Sequence, residues 1–325
     1  MSDHMLERAQ AGHLPDELTV ARAFRFGFGV DRDLNAAASW FYKAANQGDP
    51  TAQHELGLLY LDGSGVPHDD REAFKWFHRA AVENYPPAQF DLANLFLEGR
   101  GIPQDLQEGV RWMLRAAQQE YPPAEVNLGI LYLRGFAFTA DEAKALGWLH
   151  KAAKQHFAPA EFVLGTIYDY KARERTDKRL VEAIYWYRRA AEHGYAPAQN
   201  NLANLLNKGT GVPRDVHEAM KWYKLAAEQG DGAACVNLAY LHADAGRPNF
   251  DVGQAYFWAF VALHNSPVLS EPLSPEFAKG LRKRLSGEQI AGIEAKGEKW
   301  IEEHHFGTRP QPWLLVDAPS RHSSK

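Results

Sequence analysis

Reactive side chains are few in this chain and poorly placed for catalysis. Cys235 is the one cysteine among 325 residues, which excludes an intrachain disulfide framework and any multi-thiolate metal site. Of the fourteen histidines, His304 and His305 are adjacent, so their rings cannot share a helix face as metal ligands four residues apart would. The sequence contains no H-E-x-x-H, G-x-x-x-x-G-K-[ST], G-x-S-x-G or C-x-x-C. Pairs such as Gly63-Ser64-Gly65 resemble phosphate loops, but they follow helical stretches rather than strands and recur at a fixed interval, which makes them turns. Asp69, Asp105 and Asp215 recur with the same beat, each opening a helix, and are expected to be caps rather than paired catalytic carboxylates. No catalytic, cofactor-binding or metal-ligating residue is expected, and the chain is expected not to be an enzyme.

What remains is recognition. Three columns of residues at i, i+3 and i+7 share one face of a recurring helix. They read Glu55/Leu58/Asp62, Asp91/Asn94/Glu98, Asn127/Ile130/Arg134, Val163/Thr166/Tyr170, Asn201/Asn204/Lys208 and Asn237/Tyr240/Asp244. Asparagine side chains both donate to and accept from a peptide backbone. Glu55, Asp62, Asp91 and Glu98 make an acidic end that would attract basic segments. The expected partner is therefore a protein or peptide, held on a concave face by the polar and aromatic members of these columns.

The elements that carry these columns are set by a repeat. Tryptophan falls at 40, 76, 112, 148, 186, 222 and 258, spaced 36 apart except for one interval of 38. A fixed period of this size marks a solenoid or array. An Ala pair follows six of the tryptophans by four residues, from Ala44-Ala45 to Ala226-Ala227, and Ala262 alone follows the seventh. Each unit reads as two helices. Ala52, Leu56, Leu59 and Tyr60 form one helical stripe, ended by Gly63-Ser64-Gly65 and Val66-Pro67. Asp69 opens the second helix, on which Ala73, Trp76, Phe77 and Ala80 form the next stripe. The capping Asp returns as Asp33, Asp105, Asp141, Asp215 and Asp251. A two-helix unit cannot bury its own apolar face, so neighbours must stack. The small column Gly57, Ala93, Gly129, Gly165, Ala203 and Ala239 lets the helix axes approach.

Composition agrees with a packed, non-membrane chain. Apolar residues make up 45% and charged residues 24%, ordinary globular proportions that exclude wholesale disorder. The net charge of -5 and a pI near 6.3 argue against nucleic acid as the partner. No apolar run is long enough to span a membrane, and the first thirty residues lack the apolar core of a secretory signal. A cytoplasmic location is expected.

The run Ala52-Leu56-Gly57-Tyr60-Gly63-Gly65-Val66-Asp69-Ala73-Trp76-Ala80-Ala81 resembles the Sel-1-like repeat, a subclass of the tetratricopeptide superfamily. Residues from Ala198 to Gly230 nearly repeat the pattern. The resemblance covers about three quarters of the chain. It implies an all-α, right-handed α-solenoid of about seven helix-turn-helix units, serving as a scaffold or adaptor for partner proteins. An inhibitory, immunity-type regulator that blocks an enzyme or toxin is the alternative of the same class, and a small enzymatic activity in residues 267–325 is a third.

The expected organisation is a lead-in over 1–13, the array over 14–266, linker and capping helices over 267–306, and a tail over 307–325. Three features depart from the repeat pattern. Gly135-Phe136-Ala137-Phe138 replaces Gly-x-Gly-Val, the basic segment from Lys171 to Arg179 is two residues longer than its counterparts, and the last unit lacks the loop motif. Ser286 is expected to open a polar terminal helix. Trp313, Leu314, Leu315 and Val316 read as a docking segment for the chain itself or for a partner.

Overall fold

A computed structural model describes residues 3–172, 178–246, 250–265 and 273–304. Among the described residues there are seventeen α-helices and no strand: α1 (Asp3–Gln10), α2 (Leu14–Phe26), α3 (Leu34–Asn46), α4 (Pro50–Asp62), α5 (Asp70–Val82), α6 (Pro86–Glu98), α7 (Leu106–Gln118), α8 (Pro122–Arg134), α9 (Glu142–Lys154), α10 (Ala158–Lys171), α11 (Lys178–Glu192), α12 (Ala196–Lys208), α13 (Val216–Glu228), α14 (Gly232–Ala243), α15 (Val252–Asn265), α16 (Pro275–Arg282) and α17 (Gly287–Glu303). The chain is an all-α solenoid of helix hairpins. It divides into two compact units near the end of α9, between Ala152 and Ala153. In the first unit each helix from α1 to α8 packs on the next, and in the second the same holds from α10 to α15.

The helix boundaries follow local chemistry. Side chains of Asp33, Asp69, Asp105, Asp141, Asp215 and Asp251 each accept a hydrogen bond from a backbone amide in the first turn of a second helix, at 2.8 to 3.1 Å. Those amides have no partner within the helix, so the cap supplies one. The bonds hold the Asp69 carboxyl below its usual range. The first helices α2, α4, α6, α8 and α12 start with proline at N1 or N2 and end on a glycine in the left-handed region.

Gly65, three residues past the end of α4, has φ +75°, and a Cβ there would collide with the backbone of Leu34. Ala137 stands at the equivalent place after α8 and takes φ 67°. The departure at 135–138 thus keeps the left-handed turn and puts a side chain where the backbone disfavours one.

Packing between the two helices of a hairpin is set by the small column. A Cβ on Gly57 would lie 2.5 Å from the Phe77 ring, and one on Gly165 would lie 2.6 Å from Tyr187. Phe77, Tyr187 and Tyr223 are almost wholly buried, each filling the space opposite a Gly or Ala. Cations three residues after the tryptophans cover the indole faces: Lys43, Arg79, Arg115 and Lys151 lie 3.8 to 4.6 Å from the ring centroids.

A polar interlock ties successive hairpins. Gln53, Gln89 and Gln199 are buried and donate to the carbonyls of Ala45, Ala81 and Ala191 at 3.0 to 3.2 Å. Gln119 then donates to the Gln89 side chain at 2.8 Å and Gln229 to Gln199 at 2.9 Å. At the 53 junction the corresponding residue is Glu83, whose side chain has no amide N–H to donate. Gln53 Oε1 accordingly has no hydrogen-bond partner.

The array ends under α16 and α17. Ser286 and Gln289 form a reciprocal capping box at the start of α17. The Tyr256 hydroxyl donates to Glu294 at 2.6 Å, and the Trp300 ring meets Trp258 edge-on at 5.4 Å. The docking segment Trp313–Val316, the centre of the basic 171–179 segment and most of the linker lie outside the described residues.

Candidate partner-binding face

The three columns of the first helices occupy different environments. The column nearest the helix start is drawn into contacts between neighbouring repeats. Glu55 pairs with Arg25 of α2, and Asp91 accepts from His54 of α4 at 2.7 Å. Asn237 donates to Asn200 at 2.9 Å, and Asn201 is hydrogen-bonded to the Tyr187 hydroxyl. Asn127 is fully buried. These side chains therefore hold first helices to one another and to their second helices.

The middle column is mixed. Asn94 is half-buried, and its Oδ1 has no hydrogen-bond partner. Asn204 accepts from the Tyr223 hydroxyl at 2.8 Å, and the Thr166 hydroxyl donates to the Phe162 carbonyl at 3.0 Å. Tyr240 is 47% exposed and packs its ring against Phe277 of α16 at 4.5 Å.

The last column is exposed throughout. In the first unit Asp62, Glu98 and Arg134 are exposed at the ends of α4, α6 and α8, and Phe26, 54% exposed, occupies the matching place on α2. Phe28 lies beside Phe26 with ring centroids 5.5 Å apart and is 68% exposed. In the second unit Tyr170 and Lys208 are the equivalents, together with Asp244 just past the end of α14.

Electrostatics distinguish the ends. A helix C-terminus carries partial negative charge, so a cation is favoured there and a carboxylate is not. Arg134 and Lys208 obey this rule. Asp62 and Glu98 stand against it at the last residues of α4 and α6. Partial burial pushes the Glu98 carboxyl above its usual range, with Asp70 adding to the rise and Arg100 opposing it. Arg100 bridges the two acids, 2.8 Å from Asp70 and 3.9 Å from Glu98. In the second unit burial likewise raises the Asp169 carboxyl, opposed by a hydrogen bond from Tyr187 and by Lys208.

Cys235 is wholly buried, and burial drives its thiol far above the ordinary range, which removes the thiolate a nucleophile requires. No helix among the described residues is long and apolar enough to cross a membrane.

Comparison with known proteins gives the same architecture. The Sel1 repeat family model matches seven segments: 20–49, 50–83, 86–121, 122–157, 158–195, 196–231 and 232–260. A Sel1 repeat protein from Oxalobacter formigenes is 29% identical over 78% of this chain and 100% of its own, with a TM-score of 0.68. A protective antigen of uropathogenic Escherichia coli with an SLR fold is 26% identical over 98% of this chain and 75% of its own, at a TM-score of 0.46. An immunity protein from Pseudomonas aeruginosa is 21% identical over 68% of this chain and 81% of its own, at 0.48. No curated protein matches.

Proposed function

The chain belongs to the Sel1 repeat family, whose fold suggests a protein–protein interaction scaffold, and we propose that it is a non-enzymatic adaptor that grips a protein or peptide across its first-helix ends. The working part is the array over 14–266, shielded by the helices of 267–306, and the place of work is the cytoplasm.

The observation that carries this reading is the row Phe26, Asp62, Glu98 and Arg134. Two acids stand at helix ends whose dipoles disfavour them, beside two aromatic rings exposed to solvent. Neither placement is favoured locally: the helix dipoles oppose the acids, the rings stay exposed, and Arg100 reaches Glu98 only at 3.9 Å. Both suit a partner segment that combines basic and apolar side chains, with charges steering the encounter and aromatic rings supplying contact area. Glu55 and Asp91, half-buried between repeats, act by holding the row in place.

Affinity purification with chemical crosslinking of the full chain is expected to recover one discrete protein. Asp62→Lys with Glu98→Lys should then lower its affinity at least tenfold while leaving thermal stability nearly unchanged. Undiminished binding would sink the acidic-row reading.

A further inference from the structure

At one junction of the polar interlock a histidine stands opposite a buried carboxylate. At the positions of the Gln89–Gln119 and Gln199–Gln229 pairs, the chain places Glu161 and His193. His156, in the turn before α10, joins them. Glu161 is 0% exposed, whereas both histidines are exposed. His193 Nδ1 lies 2.7 Å from Glu161 Oε2, and the two imidazole rings meet edge-on at 5.3 Å. One ligand atom from each of the three residues lies within 4.8 Å of the others.

A carboxylate wholly removed from water requires compensation by charge and hydrogen bonds, and here the compensation is incomplete. Arg189 Nη2 stands 2.9 Å from Glu161 Oε1, yet the contact lacks hydrogen-bond alignment, and this buried oxygen has no hydrogen-bond partner. Arg189 is also displaced from the role of its equivalents. Four cations in the same column sit 3.8 to 4.6 Å above their tryptophans, whereas Arg189 lies 5.4 Å from Trp186. Its Nη2 further approaches His156 Nδ1 at 3.3 Å. Arginine can only donate, so this ring nitrogen presents its lone pair to the cluster.

We propose that His156, Glu161 and His193 bind a divalent transition-metal ion of the zinc class. Two imidazole nitrogens and one carboxylate, with further positions open to solvent, match the ligand preferences of that class. The ligand atoms need to close by at most about 1.4 Å to reach the roughly 3.4 Å separation of a tetrahedral set. The ion replaces the proton that His193 Nδ1 donates to Glu161, and this proton moves to Nε2 of the exposed ring. Arg189 returns to the indole face of Trp186. Since His156 precedes α10 and His193 follows α11, the ion pins the two ends of that hairpin.

The test uses the untagged full chain with zinc chloride, followed by titration calorimetry and thermal unfolding. Two variants keep the fold by copying the chain's own solutions elsewhere. Glu161→Gln with His193→Gln installs the pair seen at Gln89–Gln119. His156→Asn copies Asn84, which holds the same left-handed turn position, φ 59° in both. The wild-type chain should take up one tightly held zinc ion and unfold at a higher temperature when loaded, because an ion bound only to the folded state stabilises it. Each variant should lose at least tenfold in affinity together with the thermal shift, and cobalt substituted for zinc should lose its ligand-field absorption. No uptake by the wild-type chain, or wild-type affinity retained in either variant, overturns the proposal.

Discussion

Residues seven apart on the same first helices live under different rules. Glu55 and Asp62 both belong to α4, and Asp91 and Glu98 both belong to α6. Glu55 and Asp91 face the preceding repeat and are spent on Arg25 and His54. Asp62 and Glu98, two turns further along, emerge into solvent. A column read from sequence as one binding face thus divides into a structural half and an available half. In a repeat array, the distance of a position from the neighbouring hairpin decides which residues can serve a partner.

Breaking the structural half should have the largest effect. Glu55→Lys or Asp91→Lys leaves a cation facing Arg25 or His54 in a partly buried site and should cost about 2 to 3 kcal/mol in denaturant unfolding. Gly57→Ala should cost about 1 to 3 kcal/mol, because the new methyl must displace the Phe77 ring in a packed interior. Ala137→Gly should stabilise by about 1 kcal/mol through relief of its left-handed backbone. Against these, Asp62→Lys and Glu98→Lys should move stability by no more than about 0.5 kcal/mol, and that contrast is what the division into two halves requires. If the last pair were as costly as the first, the exposed column would be structural too. Cys235 supplies an independent check of the packed interior: its thiol should resist a disulfide reagent in the native chain and react on unfolding.

Much of the fold is legible in the sequence, and for identifiable reasons. The tryptophan and alanine columns report helix packing that repeats with the chain. The capping aspartates report backbone amides that every second helix leaves unpaired. Both are local signals, each contained within one repeat. The fate of Glu55, Asp91 and Asn237 is different, because their partners lie 30 to 37 residues away on a neighbouring helix, and nothing in their own segment specifies it. The cluster at His156, Glu161 and His193 is harder still to read. Its members come from three places, and the two-residue insertion after α10 shifts the columns out of step. Only alignment by repeat puts both histidines at equivalent ends of second helices, opposite a position where the other units carry Gln, Glu or Cys.

On the proposed function, the exposed first-helix row, and not the second-helix surface, meets the partner. A photocrosslinking side chain placed at position 62 or 98 tests it directly, set against the same group at Arg71 or Arg111, which are exposed on second helices. One discrete adduct is expected from 62 and 98 and none from 71 and 111. Adducts of equal yield from both sets, or from the second-helix positions alone, would contradict it.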